Sequence, residues 1–107
     1  MKNIDSPSSL IQALTTLFPA FANEQSWEEP ESYHQVVIRL SSHITTYLQA
    51  ASAQTIKDFC DLINTLVLAG GDKKNAISTC LLEHASQIKL SPIIRLHLNA
   101  AAKWELR

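Results

Sequence analysis

Glycine occurs only twice in this chain, cysteine twice and proline four times, and no apolar run approaches the length of a membrane span. Each shortage excludes something. So few glycines and prolines leave little material for the repeated turns of an all-β fold or for a disordered polymer. Two cysteines are too few for a disulfide scaffold, and as a metal site they would need further ligands that their spacing does not offer. The opening stretch MKNIDSPSSL has no apolar core of the kind a signal peptide requires. With no segment long enough to cross a bilayer, the expectation is a cytoplasmic protein without membrane association. The net charge is −1, so no global field selects nucleic acid or an anionic surface. Basic residues are scarce in one region. Up to Glu31 a single lysine stands against Asp5, Glu24, Glu28, Glu29 and Glu31, while the remainder carries eight basic residues against five acidic ones.

What is present is helical periodicity. The chain is 107 residues long and 46% hydrophobic, which makes residues 1–107 one all-α domain able to bury roughly 65% of its unfolded surface. Its centre is the stretch Thr55 to Ile88. Ile56, Phe59, Cys60, Ile63, Leu66 and Val67 recur at helical spacing and define one buried stripe. Gly70 can take a positive φ and end that helix, and Asp72 is expected to cap the next. The second arm carries Ile77, Cys80, Leu81, His84 and Ile88 on one stripe. In an antiparallel pairing about residue 70, Cys60 and Cys80 fall at equal height. They read as two small core thiols, with a disulfide as the alternative.

In chain order, Asp5-Ser6-Pro7 starts a first helix running to about Phe18, where Pro19 ends it. Residues 19–31 have no periodicity and read as an irregular connection pinned to the core by Phe21 and Trp27. Ser32, with Gln35 three residues later, is a capping box opening a second helix to about Ala50, striped by Tyr33, Val37, Leu40, Ile44, Tyr47 and Leu48. Ser52 starts the third helix and Asp72 the fourth. Ser91-Pro92 starts a fifth, with Leu96, Ala100 and Trp104 on one side. The expected architecture is a five-helix antiparallel bundle or a short HEAT-like stack.

Chemistry is harder to find. His34, His43, His84 and His97 contain no pair three or four apart, the spacing by which a helix holds a metal, so no metal ligands are assigned. They read as surface or core-edge residues, with His43 and His84 half-buried and hydrogen-bonded. A small enzyme or metal sensor built on these histidines is a lesser alternative. Thiols on apolar stripes lose nucleophilicity, so no catalytic residue and no cofactor is assigned. Gly70-Gly71-Asp72-Lys73-Lys74 follows a helix and lacks the spacing of a phosphate loop; it is a helix end followed by a helix start. Glu24, Glu28, Glu29 and Glu31 around Trp27 remain. They are either a solvated acidic connection or a surface for a basic partner, since tryptophan anchors interfaces and carboxylates steer association.

Leu-Phe-Pro-Ala-Phe at 17 to 21, the run Trp27 to Tyr33, Leu68-Ala69-Gly70-Gly71-Asp72, Ala76 and Leu81-Leu82-Glu83 together resemble a family of small bacterial all-α proteins of undescribed activity. Some of that family look like immunity proteins encoded beside polymorphic toxins. The resemblance implies a non-enzymatic protein that neutralises a cognate toxin, a nuclease being one such class, by occluding its active site. Glu24, Trp27, Glu28, Glu29 and Glu31 would form the contact surface, with Tyr33 at its edge. A basic nuclease site would accept such an acidic plug. The alternative is a helical adaptor or homodimeric scaffold in which an apolar face of the first or fifth helix meets a second copy.

Overall fold

Four polar side chains accept backbone N–H groups at helix starts in the computed structural model, which describes residues 4–23 and 32–106. Ser6 Oγ accepts from Ser9 N–H at 3.1 Å while Ser9 Oγ accepts from Ser6 N–H at 3.0 Å, a reciprocal box with Pro7 in the first turn. Ser32 accepts from Gln35 N–H, Ser52 from Thr55 N–H and Asn99 from Ala102 N–H. Each cap satisfies a donor that a helix start leaves free and contributes about 1 kcal/mol.

The α-helices these signals open are α1 (Pro7–Leu17), α3 (Tyr33–Ser41), α5 (Ala53–Ala69) and α8 (Ala100–Glu105). Between them lie α2 (Ala20–Asn23), α4 (Ile44–Ala50), α6 (Gly71–Cys80) and α7 (Ser91–Ile94). Short 3₁₀ turns occupy Leu82–His84 and Arg95–His97, and no strand occurs among the described residues. The all-α class is therefore observed, but the units differ from five long helices.

The middle of the fold is α5, which touches α1, α6, α7 and α8. Because it is covered from several directions, its buried set is Phe59, Cys60, Leu62, Ile63, Leu66 and Val67, wider than a single stripe; Ile56 is only half-buried. The helix α6 folds back against α5 and α3, and α1 lies on α3 and α5. Phe18, at the end of α1, stacks on Tyr47 of α4 at 5.5 Å and meets Phe59 of α5 edge-on at 5.4 Å. Phe21 is fully buried and its N–H bonds Phe18 O, so the one-turn α2 seals this end of the core. Trp27, the other expected anchor, lies outside the described residues.

Three expected helices are interrupted. Between α3 and α4 the Ser41 hydroxyl donates to Ile38 O at 2.7 Å and His43 N–H bonds Leu40 O, a tighter turn that competes with the regular ladder. Leu40 and Ile44 stay buried across the break, so the apolar stripe survives it. In the fourth helix the α-helical ladder stops after Cys80, with Leu81 at φ −129°, ψ −63° and Leu81 and Leu82 both fully buried. The chain leaves the helix at Leu81 and turns through Lys89 at φ 59°, burying Leu82 and Ala85 and leaving His84 exposed. Thr45 holds this turn by donating to Ile88 O at 2.8 Å.

The fifth helix is split by an extended pair, Leu98-Asn99, after which Asn99 caps α8. That restart shifts the phase. Ile94, Leu98 and Ala102 are buried, while Leu96 and Trp104, expected on the inner stripe, are 84% and 83% exposed. Ser91 does not cap α7; the preceding Leu90 holds that position and the Ser91 hydroxyl is buried without a hydrogen bond.

The hairpin turn places its two glycines at positive φ. Gly70 sits at φ 71°, ψ −168°, a region that is essentially glycine-only, and Gly71 at φ 59°. With this reversal complete by Gly71, Gly70 is both the end of α5 and the cap of α6. Asp72 falls inside the first turn instead of capping it, where its charge still suits the helix dipole.

Candidate functional site

The hairpin turn sets Asp72 and Lys73 at the head of α6, close to the last turn of α5. The start of the chain reaches the same place. Ile4 and Asp5 join Thr65, Leu66, Ala69 and Lys73 in lining an open cleft of about 350 Å³. Tyr33, in the first turn of α3, belongs to this corner as well. Its pKa is raised first by burial, then by the carboxylates of Asp5 and Asp72. The phenol is half-buried and packs against the core, so it is held protonated and can donate a hydrogen bond.

Of the residues assigned from sequence to a partner surface, Tyr33 alone is described; Glu24, Trp27, Glu28, Glu29 and Glu31 lie outside the described residues. The structure adds to Tyr33 two carboxylates distant in sequence, Asp5 and Asp72. Sequence reading missed them for a simple reason. Nothing in the local pattern says that residue 5 and residue 72 share a corner with residue 33; the packing of α6 on α3 and of α1 on α3 decides it.

The cysteines are separate thiols. Cys60 is buried, with its sulfur 3.8 Å from Ile94 O, and burial followed by the charge of Asp61 pushes its pKa up to about 12. Cys80 is half-buried and also raised, by burial and then Glu83. Neither environment favours a thiolate nucleophile. No group of three or more His, Cys, Asp or Glu side chains is placed to hold a metal among the described residues. His43 stacks on Tyr47 at 5.9 Å. His84, expected to be half-buried, is exposed beside Gln87, with Nδ1 and Oε1 3.3 Å apart.

A second polar feature links the central helix to the end of the chain. Asn64, half-buried on α5, donates through Nδ2 to His97 O at 3.2 Å and accepts at Oδ1 from Asn99 N–H at 2.9 Å. The same Asn99 caps α8, and Lys74 pairs with Glu105 at 3.5 Å. Leu96 and Trp104 are thus presented outward on a backbone fixed at several points. A polar Asn64 beside an apolar stripe was the available signal for this clamp.

No helix among the described residues is long and apolar enough to cross a membrane. No curated protein and no solved structure matches the chain. A family model described as a domain of unknown function, DUF7674, matches residues 11–104, which takes in the acidic stretch, the hairpin and nearly all of α8. The chain therefore belongs to that family.

Proposed function

We propose that this is a non-enzymatic cytoplasmic binding protein, in its specific form an immunity protein that occludes the active site of a cognate bacterial toxin. A nuclease is the favoured toxin class, because its site must be basic to hold an anionic substrate. The observation that supports the reading is acidic charge on both sides of Tyr33's position: in sequence Glu24, Glu28, Glu29 and Glu31 cluster around Trp27 just before it, and in the fold the carboxylates of Asp5 and Asp72 act on its phenol. Such a concentration steers a basic partner and speeds encounter, while Trp27 supplies an anchor of the residue type enriched in interface hot spots.

The test begins with capture of partners by the tagged protein from its native cells, identified by mass spectrometry. A stoichiometric protein with a toxin domain is the expected result. Association is then measured with Glu24, Glu28 and Glu29 replaced by lysine. The rate should fall at least about tenfold at low salt and lose most of its salt dependence. Unchanged kinetics would remove the acidic stretch from the interface.

A second reading, self-association as a helical scaffold, has its own support in the exposure of Leu96 and Trp104 near the end of the chain. Sedimentation of the isolated protein separates the two. A stable dimer that Trp104→Ala dissolves favours the scaffold; a monomer favours the partner reading.

A further inference from the structure

Two large apolar side chains near the end of the chain stand in solvent on a backbone that is tied down. Leu96 and Trp104 are the most exposed large hydrophobics among the described residues. The segment between them is held to α5, where Asn64 Nδ2 donates to His97 O at 3.2 Å and Asn99 N–H donates to Asn64 Oδ1 at 2.9 Å. Asn99 Oδ1 then accepts from Ala102 N–H at 2.9 Å, and Glu105, the residue after Trp104, pairs with Lys74 at 3.5 Å. The short path from Leu96 to Asn99 and the helical rise from there to Trp104 keep the Cα atoms of Leu96 and Trp104 within about 20 Å. Both therefore fit the footprint of one interface, roughly 30 Å across for ~800 Å² per partner.

The charge of this segment has one sign. Between Glu83 and Glu105 the chain carries Lys89, Arg95 and Lys103 and no acidic residue. Arg95, His97 and Lys103 are exposed as the sequence neighbours of Leu96 and Trp104, and neither Arg95 nor Lys103 joins an ion pair among the described residues. A two-fold pairing of identical faces would set these basic residues against those of the other copy, which disfavours a second copy as the occupant. Arg95 and Lys103 would neutralise too few phosphates for a nucleic acid, and α8, short and with Ala102 turned inward, offers little apolar area to a bilayer. We infer that residues 95–104 form a docking surface for an acidic polypeptide segment with interspersed aromatic or aliphatic side chains. Those side chains pack on Leu96 and Trp104, and the carboxylates pair with Arg95 and Lys103. Tryptophan and arginine are residue types enriched among interface hot spots, and a backbone already held in place lowers the ordering cost of binding. The inference goes beyond the toxin reading, since this surface has the opposite charge and needs none of residues 24–31.

Titration of the isotope-labelled full chain with a glutamate-rich random copolymer of glutamate and tyrosine tests it, followed by backbone amide signals. Saturable shifts or broadening are expected at residues 95–104, weakening as salt is raised. Polyglutamate, which offers the charge without the apolar side chains, should bind at least about tenfold more weakly. Trp104→Ala, and separately the double change Arg95→Glu with Lys103→Glu, alter exposed side chains, so both variants should keep a dispersed spectrum while losing copolymer affinity at least about tenfold. Absence of a localised response at residues 95–104 would overturn the inference, as would equal binding of polyglutamate or affinity unmoved in both variants. Tighter binding of oligothymidylate or of phosphatidylserine vesicles to these residues would overturn the choice of a polypeptide. A dimer in sedimentation that Trp104→Ala dissolves would give the face to a second copy instead.

Discussion

Replacing Gly70 by alanine isolates one energetic contribution of the hairpin. A Cβ built at Gly70 meets nothing within 4 Å, so the substitution creates no clash with the rest of the molecule. What it does create is backbone strain, because φ 71° with ψ −168° is a conformation that an L-residue avoids at a cost of about 1–3 kcal/mol. At about 4–8 °C per kcal/mol for a domain near this size, the melting temperature should fall by roughly 5–20 °C. Urea denaturation should show a lower midpoint with an unchanged slope, since the surface exposed on unfolding is the same. Gly71→Ala, at φ 59°, should cost about 1–2 kcal/mol. Where the native φ suits alanine, a glycine replacement stabilises by about 0.4–1 kcal/mol through the unfolded state. A stabilised Gly70→Ala variant, or one within about 0.5 kcal/mol of the parent, would refute the assigned turn geometry.

The thiol of Cys60 predicts a pH effect with a definite sign. Its folded pKa is raised to about 12 from 9.0, so the folded chain keeps a proton that the unfolded chain releases, and this contribution is complete below pH 9 and lost as pH rises towards 12. Cys60→Ala should therefore cost about 1 kcal/mol near neutral pH and progressively less above pH 9 in denaturation curves; a constant difference would contradict the burial argument. Asn64→Ala should cost about 2 kcal/mol by removing two hydrogen bonds to the backbone at His97 and Asn99. Hydrogen exchange should locate the damage, with α8 amides losing protection before those of α5, and uniform loss would argue against a local clamp.

Three of the four helix starts at which a side chain satisfies a local donor were legible; the Asn99 cap was not. Ser6, Ser32 and Ser52 act within four residues of their own position, and the tertiary fold leaves them unchanged. The core face of α5 was legible for a related reason: a periodic apolar row is buried whichever neighbours cover it. Helix ends were less so. The break at Ser42 lies beside the Ser41 hydroxyl bond to Ile38 O, the one at Leu98 beside the Asn99 cap, and α6 ends at Leu81, none of which the apolar periodicity marks.

By itself the sequence determined an all-α chain, an acidic first third and a glycine-dependent reversal at residue 70, since composition and the backbone needs of single residues carry that information. Only the tertiary structure decided that Asp5, Tyr33 and Asp72 share a corner, that Asp5 and Lys73 face one cleft, and that Leu96 and Trp104 point outward. These are relations between residues far apart in the chain or beyond a reset of helical phase. Local periodicity cannot encode them, because the bonds that fix them, such as Asn64 to Asn99, are made across the fold.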